Sequence, residues 1–133
     1  MIAASQTAID PVVIEGYHAH VYYDAATTRA VAAAVREGIA AGGFDVRLGS
    51  WHDGPVGPHS VGMYQVVFPV AEFPRLVPWL ALNRQGLSVL VHPLTGDDYA
   101  DHAIFAAWLG PPLPLRLETL QKGRYSTQPS AAR

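Results

Sequence analysis

Residues 17–24 read YHAHVYYD, and this stretch decides how the rest of the chain is arranged. Its alternation and its content of Tyr and Val predict a β-strand over 17–23. Side chains alternate across a strand, so one set faces a core and the other faces away. The inward set is Ala19, Val21 and Tyr23, and the outward set is His18, His20 and Tyr22. Two histidines on one strand face can reach a common ion, which makes this strand a candidate functional site.

Outward from this strand, the sequence predicts three more strands and three helices. Alternating apolar residues indicate the strands, and apolar residues at helical spacing between Gly and Pro breakers indicate the helices. The strands are 44–51, 61–68 and 87–92, the main helices are 27–43 and 71–86, and a short helix lies around 99–108 before Pro-rich coil.

The order βαββαβ predicts an α+β fold, the ferredoxin-like plait. We expect a four-stranded antiparallel sheet of order 4-1-3-2, with two helices on one face and with strands 1 and 3 parallel to each other. The chain is expected to form one domain over 1–133, with a core at 17–117 and with 1–15 and 118–133 as flexible or packing termini. The tail or a second subunit must cover the other sheet face. Because only 15% of residues are charged, we expect a homodimer.

The composition excludes several classes of protein. The net charge is −2 and no basic stripe is present, so neither nucleic acid nor an anionic membrane is an expected partner. The absence of cysteine excludes disulfides and thiolate metal sites, so any metal must be bound by His, Asp or Glu. The N-terminus lacks a signal-peptide pattern, and no apolar run approaches the ~20 residues of a membrane span. A cytoplasmic protein is therefore expected.

The face of the sheet away from the helices, called here the histidine face, collects polar side chains from all four predicted strands. Alternation places Arg47, Gln65 and Tyr22 on it, whereas His52 has the inward parity. If strands 1 and 3 run parallel, the start of strand 1 lies beside the start of strand 3 and the end of strand 4. His18, His20, His59 and His92 then converge at one end of this face. Convergent imidazoles without cysteine suit Zn, Fe, Cu or Ni.

A single strand histidine is usually a surface residue or a hydrogen-bonded core residue, so the metal prediction depends on the convergence of four. One β-bulge would turn His59 or His92 away. The segment TGDDYADH is expected to be a solvated turn at Asp97 and Asp98 that leads into a helix cap. Asp101 and His102 stay open, because their helix could fold back over the histidine face.

Four segments together resemble the DOPA 4,5-dioxygenase family, with a likeness that runs from about Tyr17 to Leu117. They are HAHVYYD (18–24), GPVGPHSVGMYQVVF (54–68), FPRLVPWLALNRQGLSVLVHPLTGDDYADH (73–102) and AAWLGPPLPL (106–115). The resemblance implies a small ferredoxin-like protein, usually dimeric, that cleaves a catechol such as DOPA in the extradiol manner with non-haem iron(II) and O₂. The histidine motifs of the family fall on His18, His20, His59, His92 and His102.

The resemblance also implies roles for these residues. We expect His20, His59 and His92 to bind iron, with His18 as general base or alternative ligand and Asp101 as a reserve carboxylate. Zinc or nickel could replace iron in crystals, because imidazole accepts all three metals. The expected contacts with a catechol substrate are Tyr22, Arg47, Gln65 and His102.

Two other interpretations compete with this one. A metal-free ferredoxin-like dimer could bind or oxidise a small aromatic molecule, and it would have histidines that hydrogen-bond to each other. A structural dimer without catalysis would bury the histidines against apolar partners.

Overall fold

The computed structural model describes residues 7–127, which form an open five-stranded antiparallel sheet with three helices. The strands are β1 (Tyr17–Tyr23), β2 (Arg47–Leu48), β3 (Gly62–Phe68), β4 (Val89–Pro93) and β5 (Ala107–Leu109). The helices are α1 (Arg29–Ala41), α2 (Phe73–Asn83) and α3 (Asp98–Ala103). Within 7–127, no helix is long and apolar enough to cross a bilayer. The prediction for the termini falls partly on 1–6 and 128–133, which lie outside the described residues.

The sheet order is β2-β3-β1-β4-β5, so β1 lies at the centre between β3 and β4. β1 pairs antiparallel with both neighbours, and Tyr17 lies opposite Phe68 while Tyr23 lies opposite Gly62. The prediction that strands 1 and 3 run parallel was therefore wrong. The crossover through α1 makes β1 and β2 parallel, and β3 reverses direction after β2, so β3 is antiparallel to β1.

The sheet has five strands rather than the predicted four. The predicted helix at 99–108 ends at Ala103, and the chain then forms β5, which pairs antiparallel with β4. Short apolar runs such as 103–109 are compatible with either a helix or a strand. The unpaired edge of β4 decides between them, because its backbone groups need partners. The second strand is also shorter than predicted, since only Arg47 and Leu48 pair with β3.

The helix face carries the main core, and the inward sets predicted from alternation are confirmed there. α1 contributes Ala32, Val35 and Ile39 at helical spacing, and α2 contributes Leu76 and Leu80. The strand residues of this core include Ala19, Val21, Tyr23, Tyr64, Val66, Phe68, Val89 and Val91, and Leu87 joins them from the loop before β4. Phe44, Val46 and Leu48 pack against this core.

The histidine face is covered by the chain itself. Tyr22, Met63 and Leu90 form a second core, and the residues packed on it are Val56, Ala106, Trp108, Leu113 and Leu115. Four of these five come from the segment after α3, so the tail covers this face. A second subunit is not required for that purpose, and the homodimer stays a prediction.

The two faces of α2 allow a matched test of the core. Leu80 is fully buried, whereas Leu82 is 87% exposed on the same helix. We expect Leu80→Ala to lower the free energy of unfolding by about 2–5 kcal/mol through lost burial and a residual cavity. Leu82→Ala should change it by less than about 0.5 kcal/mol. Urea unfolding of both variants measures the difference, and similar values would contradict this assignment of the core.

Candidate metal centre

Five of the six histidines in the chain form one cluster on the histidine face. Their ring centroids lie between 4.0 and 6.1 Å apart in neighbouring pairs. The members of this histidine cluster are His18, His20, His59, His92 and His102. The sixth, His52, is exposed and pairs through its backbone with Met63.

Three different kinds of element bring the cluster together. His18 and His20 lie on β1, and His92 is directly opposite His18 on β4. His102 comes from α3. His59 lies in the loop before β3, where backbone bridges to Val56 and Leu115 hold it.

The structure therefore brings together the four histidines predicted to converge, but by another route for His59. The predicted parallel alignment does not exist, since the start of β3 pairs with the end of β1. The loop before β3 instead runs back along the sheet, so that the ring centroid of His59 lies 4.2 Å from that of His20.

Two backbone carbonyls fix the orientation of two imidazoles in the cluster. His92 Nδ1 lies 2.9 Å from the carbonyl oxygen of Pro93, and His102 Nδ1 lies 2.7 Å from that of Asp98. A carbonyl oxygen can only accept, so each Nδ1 donates its proton and each neutral ring keeps a lone pair on Nε2. Histidines that bind metals usually have this arrangement.

His20 has a buried nitrogen without a hydrogen-bond partner. Its Nε2 lies 3.0 Å from His92 Nε2. Because the neutral His92 ring carries its proton on Nδ1, His20 donates through Nε2, which leaves its Nδ1 unprotonated. That Nδ1 is buried and accepts no hydrogen bond from the residues described. An unsatisfied buried acceptor costs about 1–3 kcal/mol, and a metal ion is one partner that would satisfy it.

The three deepest histidines are held in the neutral state. His20, His59 and His92 are each less than 5% exposed, whereas His18 and His102 are partly exposed. Burial first, and then the proximity of the other imidazoles, lowers the pKa of His59 to about 4 and that of His92 to about 3. The same causes lower the pKa of His20 well below its usual value. Neutral imidazole is the form that binds metals.

The cluster contains two overlapping groups of three possible ligands, whose nitrogens lie within 4.8 Å of one another. One group is His18, His20 and His92, and the other is His20, His59 and His102. The predicted ligands His20, His59 and His92 do not form either group by themselves, since His92 belongs to the first group and His59 to the second. His20 alone belongs to both. A buried cluster of this kind could bind a metal, with imidazole as its donor.

Two of the three nearby carboxylates, those of Asp97 and Asp101, accept hydrogen bonds from other residues. Both oxygens of Asp101 accept from Thr95, at 3.1 Å from its amide and 2.6 Å from its hydroxyl. Asp101, the reserve ligand, belongs to neither group of three. Asp98 is exposed as expected, but Asp97 is 1% exposed and accepts from the Ala100 amide as the cap of α3. The prediction of a solvated turn was therefore wrong for Asp97.

Two of the predicted substrate contacts lie on strands around the cluster. Gln65 is opposite His20 across the β1–β3 pair. Arg47 is exposed on β2.

The pKa of His18 is lowered by burial, with smaller contributions from the charges of His102 and Arg47.

Tyr22 supports the cluster from within the second core. Its hydroxyl lies 2.7 Å from His59 Nδ1, and its ring stacks on Trp108 with centroids 5.7 Å apart. Burial raises the pKa of Tyr22, so its hydroxyl stays protonated. Sequence reasoning grouped Tyr22 with the substrate contacts and missed this hydrogen bond. The only signal for it was the shared strand parity with His20.

Known proteins resemble this chain in both sequence and structure. Residues 17–119 match the model of the Dopa 4,5-dioxygenase family. The chain belongs to this family. Within it, the chain is 47% identical over 66 residues to the DOPA 4,5-dioxygenase of Amanita muscaria, a match that covers 50% of this chain and 29% of that protein. It is also 37% identical over 86 residues to an uncharacterised 21.2 kDa protein of Botryotinia fuckeliana. This match covers 59% of this chain and 47% of that protein.

A solved structure shares the fold as well as the sequence. The crystal structure of a provisionally assigned dioxygenase from Nostoc punctiforme superposes with a TM-score of 0.81 at 54% identity. The match covers 84% of this chain and 96% of that one. By contrast, the chain spans less than half the length of the two fungal relatives. Membership of the Dopa 4,5-dioxygenase family and the Nostoc structure support an oxygenase, and the cluster is consistent with a metal-dependent one.

Proposed function

We propose that this chain is an extradiol ring-cleaving dioxygenase that acts on a catechol, such as DOPA or a related small aromatic molecule, with iron(II) and O₂. Family membership and the similarity to the Nostoc protein support the reaction class. The observation that carries the proposal is the unpartnered Nδ1 of His20 inside the cluster of neutral imidazoles. A cytoplasmic location and a homodimer belong to the same proposal.

The residues present fit a divalent transition metal. The donor set is imidazole, and His92 and His102 each carry a lone pair on Nε2 because backbone carbonyls hold Nδ1. His20, His59 and His92 would hold the ion, since they are the most buried members of the cluster. Iron(II) bound there supplies the redox chemistry that joins O₂ to a bound catechol. Zinc or nickel could occupy the same ligands.

The partly exposed side of the cluster would receive the substrate. His18 would accept the proton of a catechol hydroxyl, and burial lowers its pKa, which favours the unprotonated ring. Arg47 would pair with a substrate carboxylate, and His102 and Gln65 would contact the ring substituents. The second core around Tyr22 and Leu90 keeps water from the inner side of the cluster. The ring would open at the bond between one hydroxyl-bearing carbon and the neighbouring carbon that carries no hydroxyl. Both oxygen atoms of O₂ would enter a muconic-semialdehyde-type product.

The proposal is tested by supplying catechols to protein loaded with iron(II) under ascorbate. We expect a yellow ring-opened product from at least one member of a panel that includes DOPA, with both atoms of labelled O₂ recovered in it. Protein freed of metal by chelation is the control and should give no product. Cleavage between the two hydroxyls, or the absence of product across the panel, would contradict the proposal.

One observation favours a second candidate, the metal-free protein that binds or oxidises a small aromatic molecule. The contact between His20 Nε2 and His92 Nε2 is the hydrogen bond between histidines that this function requires. It leaves His20 Nδ1 without a partner, which is why we prefer the metal centre. Metal analysis after anaerobic incubation with iron(II) separates the two, since the second candidate binds none.

A further inference from the structure

The segment 121–127, called here the clasp, lies beyond the span that matches the family model, which ends at residue 119. Its anchor is the carboxylate of Asp97. The amides of Tyr125 and Ser126 donate to Asp97 Oδ2, both at 2.8 Å. The hydroxyl of Ser126 lies 2.9 Å from both Asp97 oxygens. These contacts give hydrogen-bond partners to both oxygens of Asp97, a residue that is only 1% exposed.

The clasp also touches the helix that Asp97 caps. The amide of Tyr99 donates to the carbonyl of Gln121 at 3.2 Å, and the ring of Tyr125 meets that of Phe105 edge-on at 5.4 Å. Gly123 lies so close to Asp97 that an added Cβ would be 3.0 Å from its carboxyl carbon. A side chain at this position requires the clasp or Asp97 to shift by a few tenths of an ångström, which strains the contact between them.

Asp97 connects the clasp to the histidine cluster through α3. This helix has only six residues, and its cap is the same carboxylate, which accepts from the Ala100 amide at 3.0 Å. So short a helix has little stability of its own and depends on its caps and packing. α3 carries His102, whose ring centroid lies 4.0 Å from that of His92. A helix that loosened at Asp97 would move His102 relative to the rest of the cluster.

We propose that the clasp, through the carboxylate of Asp97, positions His102, which is also a possible ligand in the group with His20 and His59, and so strengthens the binding of metal in the histidine cluster. Asp97 and Ser126 are positioning residues, because their hydrogen bonds go to each other, to Ala100 and within the clasp and not to the histidine cluster. This inference rests on the proposed function for the metal centre, but its first consequence, the order of α3, does not.

The test uses the full-length chain with Gly123→Ala and Ser126→Ala combined. In the first measurement, hydrogen exchange of the α3 amides is followed without metal. We expect the amides of Asp101 and Ile104 to exchange at least about tenfold faster in the double variant, while those of β1 stay unchanged. Thr119→Ala is the matched control, since its hydroxyl bonds to Arg116 within the same tail and should leave α3 protected. Unchanged protection of α3 in the double variant would overturn the proposal.

In the second measurement, cobalt(II) affinity is titrated by visible absorption in a double-mutant cycle with His102→Ala. We expect the clasp substitutions to weaken binding about 3–10-fold when His102 is present and to add nothing when it is alanine. Equal weakening in both backgrounds would show a general loss of stability and overturn the proposal. If the unsubstituted protein binds no cobalt, the proposed metal centre fails, and the exchange result still decides whether the clasp orders α3.

Discussion

His20→Ala is expected to abolish tight binding of a divalent metal. His20 is the one residue common to both groups of possible ligands, and its two ring nitrogens are the hydrogen-bonded Nε2 and the unpartnered Nδ1. Removal of a residue that only hydrogen-bonds to a metal ligand already lowers metal affinity about 10–100-fold. Removal of His20 itself, the possible ligand common to both groups, should therefore lower it more than about 100-fold. Cobalt(II) titration and iron analysis after reconstitution measure the effect.

The chain supplies its own control for this experiment. His52 is an exposed histidine outside the cluster, so His52→Ala should bind metal like the unsubstituted protein. Because His20 is buried, the circular dichroism of both variants should be compared to show that the fold persists. Full metal occupancy in a folded His20→Ala protein would refute the metal centre.

His18→Ala should lower kcat for catechol cleavage by about 10²–10⁴-fold, the usual contribution of a general base. The variant should keep its iron, because His20, His59 and His92 are the proposed ligands. His18 is partly exposed on the central strand, directly opposite His92, where a substrate hydroxyl could reach it. Steady-state kinetics together with iron content of the same preparation measure both effects.

The comparison variant is His92→Ala, which should lose iron and activity together. If His18→Ala also loses its iron, His18 is a ligand and belongs with His20 and His92 in the first group of three. If it keeps both iron and full activity, another group accepts the proton. His18→Gln, which is polar but is not a base at neutral pH, should be as slow as His18→Ala.

Much of this site could be predicted from short-range patterns. Alternation along β1 placed His18, His20 and Tyr22 on one face, and the structure confirms that the other set lies in the main core. The same reasoning put His92 on the histidine face, where it lies opposite His18. Such predictions succeed because the period of a strand is a property of its backbone and needs no knowledge of its neighbours.

The position of His59 depended on information of another kind. Its loop is rich in Gly and Pro, and no periodicity relates it to the strand that follows. The assumed parallel pairing placed it near the cluster for a wrong reason, since β1 and β3 are antiparallel. The bridge between His59 and Leu115 joins residues far apart in sequence, and no local pattern indicates it.

The sequence by itself therefore determined the composition of the candidate site, which is histidine without cysteine, and the face of the two histidines on the central strand. The tertiary structure decided what the side chains of this site contact. In the folded chain Asp101 accepts a hydrogen bond from Thr95, the Tyr22 hydroxyl hydrogen-bonds to His59, and the buried His20 Nδ1 has no hydrogen-bond partner among the described residues. The tertiary structure also placed the tail over the histidine face. The physical reason is that strand parity follows from local geometry, whereas hydrogen-bond partners and burial depend on segments that meet only when the whole chain has folded.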